Sequence, residues 1–207
     1  MKNLIVICMA VFLSASLTAK DFRTEQSPPP GTVRLELSET GIKHAEYIDA
    51  TVITIIDWLE YLHWTRKEHG GQSAEYKNVL PDTLILQKSL LAPSLSHWRH
   101  PSYHSYALVG ISYEQAMNYC IWRTNRVNEL LEKTGKGYTV SYSLPTEIDF
   151  QEAYKQKNIA LNIGVDVQEL TASKAILLIA QAETLNFQPY LELNDKIGFR
   201  CVAKITE

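Results

Sequence analysis

The chain has no marked excess of charge of either sign: 20 lysines and arginines stand against 23 aspartates and glutamates, a net charge of −3 with a pI near 6.1. That leaves no basic surface suited to a phosphate backbone, so nucleic-acid binding is not expected. The sequence lacks Gly-x-Ser-x-Gly, His-Glu-x-x-His and any glycine-rich phosphate loop, which removes the common hydrolase and nucleotide-binding readings. No apolar run is long enough to span a bilayer, the run at residues 4–13 included. Cysteine is scarce too. Of three, Cys8 lies in that N-terminal run, leaving only Cys120 and Cys201 for the body of the chain.

What is present begins with a secretory-signal pattern. Lys2 supplies the charged start, residues 4–13 the apolar stretch, and Ser14, Ala15, Ser16, Thr18 and Ala19 the small residues before cleavage. Residues 1–19 are therefore expected to be a signal peptide, with cleavage after Ser16 or Ala19. Cys8 has no lipobox-like small residues ahead of it and is read as part of the signal, not as a lipid anchor. Residues 20–31 form a polar linker ending in Pro28-Pro29-Pro30-Gly31, which cannot join a helix or an internal strand. Residues 32–207 make up one domain, long enough for a real core. Its four tryptophans and eleven tyrosines suit a loop-rich fold filled by large side chains.

The stretch from Val109 to Glu147 organises this domain. Ser112 stands three residues before Gln115, a capping-box spacing, and a helix over residues 113–131 follows, with Ala116, Tyr119, Cys120, Val127 and Leu130 on its apolar side and Asn118, Arg126 and Glu129 in water. Thr146 caps a second helix, and Glu147 favours its dipole. Thr54 caps an earlier helix carrying Ile55, Trp58, Leu59 and Leu62, which Gly70-Gly71 stops. Residues 32–37 and 44–51 carry strand patterns. From Gln72 to Ala107 the chain reads as loop, broken by Pro81, Pro93 and Pro101. Within it Trp98, Arg99, His100, Tyr103 and His104 form the densest cluster of candidate ligand-binding groups. His97, His100 and His104 have spacings that zinc could use, although Pro101 interrupts any continuous helical face. Packing is the competing role for the segment.

The string Gly-Ile-Ser-Tyr-Glu-Gln-Ala-x2-Tyr-Cys-x-Trp from Gly110, then Leu-Pro-Thr-Glu-x2-Phe-x2-Ala from Leu144, then Gly198-Phe199-Arg200, resembles the formylglycine-generating-enzyme (sulfatase-modifying factor) domain in order and spacing. The likeness spans roughly residues 31–203. It implies an α+β, C-type-lectin-like fold, rich in loop, with two or three short core helices and small antiparallel sheets. Family members include copper-dependent oxidases of a sulfatase cysteine, sulfoxide synthases, and non-catalytic lipoproteins of gliding motility and secretion machinery.

The chain departs from the enzymes where their chemistry lies. Val52-Ile53-Thr54-Ile55 replaces a Glu-Val-Thr-Asn signature, and no Arg-Gly-Gly-Ser turn occurs. Residues 165–171 resemble the family's calcium loop with both tryptophans lost, leaving Asp166 and Glu169 as candidate calcium ligands where that ion wants six or more oxygens. The oxidase chemistry needs two thiolates for Cu(I), and Cys120 and Cys201 match instead the positions that the resemblance pairs as a structural disulfide. Copper is therefore not expected. The resulting expectation is an exported, non-catalytic binding or scaffold protein, periplasmic or attached to the cell envelope, with a protein partner there. The alternative is an enzyme of this family with an active site rebuilt from Arg99, His100, Tyr103 and His104.

Overall fold

The structure, a computed structural model, describes residues 28–35, 45–90, 97–156, 167–179 and 185–206. The expected signal peptide (residues 1–19), most of the expected linker and Asp166 lie outside the described residues. The class is α+β. Strands β1 (Thr32–Leu35) and β2 (Ala45–Asp49) pair antiparallel where strand patterns were expected, with Thr32 opposite Asp49.

Helix α1 (Ile55–His69) starts as the sequence indicates. The amide of Thr54 donates to the Asp57 carboxylate at 2.8 Å, and Gly70 ends the helix at a φ of 88°, which a side chain would strain. Its buried side carries Ile55, Trp58, Tyr61, Leu62 and Thr65. The segment expected to be loop contains two more helices, α2 (Ala74–Asn78) and α3 (Thr83–Leu90). The prolines misled because Pro81 precedes a helix start and does not interrupt one. Beside it, Asp82 accepts from the amides of Leu84 and Ile85 at 2.9 and 3.1 Å, and Ser73 caps α2 in the same way through Tyr76. Residues 108–110 form no regular strand. Leu108 donates to the Ile53 carbonyl at 3.0 Å, and Gly110 accepts from the Asp82 amide at 2.7 Å.

Helix α4 (Tyr113–Lys133) carries the expected capping box, Ser112 amide to Gln115 Oε1 at 2.7 Å and Gln115 amide to Ser112 Oγ at 3.2 Å. Ala116, Tyr119 and Cys120 are buried as expected, but Leu130 is 61% exposed and Arg126 is half-buried, reversing two expected positions at the far end. The reversal follows from what lies beneath the helix. Strand β3 (Thr139–Ser143) packs under this end, and Arg126 lies over the Trp64 ring. Helix α5 (Glu147–Lys155) is capped by Thr146 through Asp149. The remaining strands are β4 (Gln168–Leu170), β5 (Ala175–Ile179), β6 (Leu185–Pro189), β7 (Ile197–Gly198) and β8 (Val202–Thr206).

One sheet has the order β1-β2-β8-β3, antiparallel throughout. The other has the order β6-β5-β4-β7, antiparallel except where β4 meets β7. The main core gathers an aromatic stack between α1, α4 and the β7–β8 junction: Trp58 stacks on Tyr119 at 5.4 Å, and Phe199 meets both rings edge-on. Trp58 Nε1 is satisfied by the Val79 carbonyl at 3.1 Å. No described helix is long and apolar enough to cross a membrane.

Two fully buried side chains tie the sheets together. Arg200 makes a bidentate pair with Glu169 of β4, Nε to Oε2 at 2.6 Å and Nη2 to Oε1 at 2.9 Å, and its Nη1 donates to the Asp49 carbonyl at the end of β2 at 2.9 Å. Burial raises the Glu169 carboxyl above its ordinary value, and the Arg200 guanidinium opposes that shift. Removing one partner strands the other charge, so Glu169→Ala should lower stability by about 3–5 kcal/mol in urea unfolding. The paired change Glu169→Leu with Arg200→Met should cost less than the single change. A single-change cost below about 1 kcal/mol, the level of a surface pair, would contradict the buried pairing.

Candidate functional site

The candidate ligand cluster of the sequence does not converge. Trp98 is 2% exposed and belongs to the core, in a short 3-10 turn (His97–Arg99). Arg99 lies 4.7 Å over that ring at the surface. His100 caps a second such turn (Pro101–Tyr103), its Nδ1 accepting from the Ser102 amide at 3.2 Å, and His104 Nε2 lies 3.3 Å from the Arg99 carbonyl. The backbone of this segment serves α1: the carbonyls of His104 and Tyr106 accept from the amides of Ile56 and Ile55, satisfying donors that the first helical turn leaves free. Among the described residues no three metal-ligating side chains come together.

Of the two candidate calcium ligands, Asp166 lies outside the described residues and Glu169 gives both oxygens to Arg200. Cys120 and Cys201 come together from positions 81 apart in sequence, but their sulfurs are 3.6 Å apart and unbonded, so they stand here as two buried free thiols. Burial, with Cys120 alongside, pushes the Cys201 thiol well up, away from the reactive thiolate.

The built polar site lies elsewhere, in a cleft of about 390 Å³ between α1, α4 and the end of β2. Tyr119, Trp122, Arg123, Arg126 and Val127 form one wall and recur at the three- and four-residue spacing of a single helix face. Asp57 and Glu60, one turn apart on α1, face them across the cleft. Asp49, Thr51, Val52 and Ile53 follow the chain out of β2, and Pro30 and Gly31 form the rim.

The foot of the cleft is fixed. Arg123 Nη1 donates to Asp49 Oδ2 at 2.7 Å, its guanidinium lies 4.3 Å over Tyr142, and the same Asp49 oxygen accepts from the Cys201 amide at 2.8 Å. Burial works against the Arg123 charge, and the Asp49 carboxylate outweighs it, so the group is held above its ordinary range. Burial likewise raises the Tyr119 hydroxyl well above its ordinary value. Arg126 is engaged twice, by Glu129 and by the Trp64 face 3.8 Å away. Asp57 accepts from the Thr54 amide and hydroxyl. Glu60 is exposed, with no hydrogen bond or ion pair among the described residues. Trp122 Nε1 is the one buried side-chain nitrogen or oxygen among the described residues without a hydrogen-bond partner, a condition native structures rarely leave unexplained.

None of these lining residues was singled out as a site from sequence. The signal was nonetheless there, in an apolar helix face that changes to Trp-Arg-x-x-Arg halfway along while the facing helix carries Asp-x-x-Glu. Comparison of the chain with protein-family models, with curated proteins and with solved structures gives no match.

Both thiols of the reduced protein should resist alkylation in native buffer and react together once denaturant opens the core, since Cys120 and Cys201 are 1% and 0% exposed. Mass spectrometry after timed exposure to iodoacetamide reads this. Rapid native labelling at either position would show a reactive site that the burial does not allow.

Proposed function

We infer that the chain is an exported, non-catalytic binding or scaffold domain of the sulfatase-modifying-factor type, on a C-type-lectin-like fold, and that it engages a protein partner in the cell envelope through the α1–α4 cleft. The observation that carries this is the rigid polar foot of the cleft: Arg123 is clamped by Asp49 and stacked on Tyr142, so the groups that would meet a ligand are already in place. Preorganisation of that kind favours binding by cutting the ordering cost. Proton transfer is poorly served in the same cleft, because Tyr119 and Arg123 are both pushed away from the neutral range that general acid–base work requires. The Cys120 and Cys201 sulfurs lie 3.6 Å apart and unbonded, and the resemblance implies that they pair in the exported protein. Closing that pair would constrain the unfolded chain by about 4–5 kcal/mol in the entropic view.

The test places a photo-crosslinking residue at Thr51, on the cleft, and at Leu191, an 87% exposed control position, in protein expressed in its own host. Capture of the same envelope protein from Thr51 but not from Leu191, lost when Trp122→Ala is added to a still-folded protein, is the expected outcome. Incubation with oxygen, copper and a sulfatase-motif peptide should leave the peptide cysteine intact by mass spectrometry. Multiple-turnover conversion to the aldehyde, or turnover that depends on Arg99, His100, Tyr103 or His104, would contradict the reading.

A further inference from the structure

The two walls of the cleft carry opposite chemistry. On α4, Arg123 and Arg126 bring guanidinium donors, and on α1, Asp57 and Glu60 bring carboxylate acceptors. A cation in the cleft would meet guanidiniums and an anion would meet carboxylates, so neither sign is selected. The floor holds a group that does select. Tyr119 lines the cleft and is 4% exposed, and its hydroxyl makes no hydrogen bond among the described residues. The charges of Arg123, Asp57 and Asp49 all act on this hydroxyl, which sets it between the two walls. Unlike the Trp122 nitrogen it is not fully covered, so it stays open to a group in the cleft. Burial keeps it protonated, and it stands as a donor lacking an acceptor, a condition that native structures rarely leave without a use.

A group that fits must accept from Tyr119 and donate to the α1 wall, and must do so without a net charge. An amide meets all three conditions in one planar unit, its oxygen accepting on one side while its nitrogen donates on the other. The α1 wall has room for that nitrogen. Both capping bonds from Thr54 fall on Oδ2 of Asp57 and leave Oδ1 without one, and Glu60, one turn on, makes no hydrogen bond or ion pair among the described residues. A neutral group also avoids the desolvation that a further charge would suffer beside the pairs already there. A cleft of about 390 Å³ holds one side chain with its flanking peptide groups. We propose that the cleft takes an uncharged amide of the partner, its oxygen on the Tyr119 hydroxyl and its N–H on the α1 carboxylates. An asparagine or glutamine side chain and a bare peptide group both carry this chemistry. The assignment rests on the binding role given to the cleft above and adds what the cleft selects.

The probes are the Nα-acetyl methylamides of glutamine, norvaline, glutamate and lysine, titrated into the protein from its own host while the amide resonances of Thr51 and Glu60 are followed by two-dimensional NMR. The glutamine probe should move both resonances saturably. The glutamate probe, of the same shape but anionic, and the lysine probe should each bind at least about threefold more weakly. Tyr119→Phe keeps the ring in its aromatic stack and removes the hydroxyl, so glutamine affinity should fall about three- to tenfold, the scale of one hydrogen bond. The same change removes a polar group without a partner, so the urea midpoint should stay level or rise. A purely structural hydroxyl would do the reverse, lowering the midpoint and leaving the probe affinity alone. The norvaline probe separates the two sources: binding as tight as glutamine assigns the site to the peptide group, and weaker binding assigns it to the side-chain amide, both within the proposal. Tighter binding of glutamate or lysine, unchanged glutamine affinity or a lowered midpoint in Tyr119→Phe, or no cleft shift with either neutral probe at its solubility limit would overturn the amide assignment. The crosslinking result at Thr51 would still judge the cleft as a binding site.

Discussion

Four charged side chains meet where β2 ends, and the arrangement of the molecule depends on them. Asp49 receives Arg123 from α4 and the Cys201 amide from the approach to β8. Arg200, one residue earlier, reaches the carbonyl of Asp49 and closes on Glu169 of β4. The first sheet, the long helix and the second sheet thus share one buried polar junction. Buried charges seldom stabilise a protein more than well-packed apolar residues would, because desolvation consumes most of the Coulombic gain. What this junction supplies is geometry. Each group has the partners it needs, and a shift of either sheet would strand a charge in the core.

The cleft is a consequence of that junction. Because Asp49 fixes the Arg123 guanidinium, and Tyr142 of β3 supports it from below, the α4 face presents Trp122 and Arg126 at a set height above α1. On the other side, the use of Asp57 as the N-cap partner of Thr54 brings a carboxylate to the opposite wall. Local helix-capping chemistry and a long-range ion pair therefore build the two sides of one site, and neither was selected by its sequence neighbourhood alone.

How much of this was legible in the sequence follows the range of each interaction. The caps at Thr54, Ser112 and Thr146 and the stop at Gly70 involve residues no more than a few positions apart, and all four stand where the pattern put them. The helices α2 and α3 were missed because proline was read as a breaker without asking whether Asp82 could start a helix beside Pro81. The histidine-rich segment looked functional because its side chains are chemically versatile. Its main task is carried by backbone carbonyls that satisfy the start of α1, which side-chain spacing does not reveal. Glu169 was noticed as an oxygen donor, but its partner lies 31 residues away and that of Arg123 lies 74 away, distances at which no local pattern operates. The proximity of Cys120 and Cys201 was suggested only by resemblance to a family.

The claim that the charges form one junction, and not two independent pairs, is tested most directly by a double-mutant cycle between Arg123→Met and Glu169→Gln in urea unfolding. The two positions belong to different ion pairs and communicate only through Asp49 and Arg200. A single junction requires the double variant to differ from the sum of the singles by at least about 0.5 kcal/mol, the level at which coupled sites depart from additivity. Additivity within about 0.3 kcal/mol would mean that the pairs are separate and that the sheets are joined by apolar packing instead.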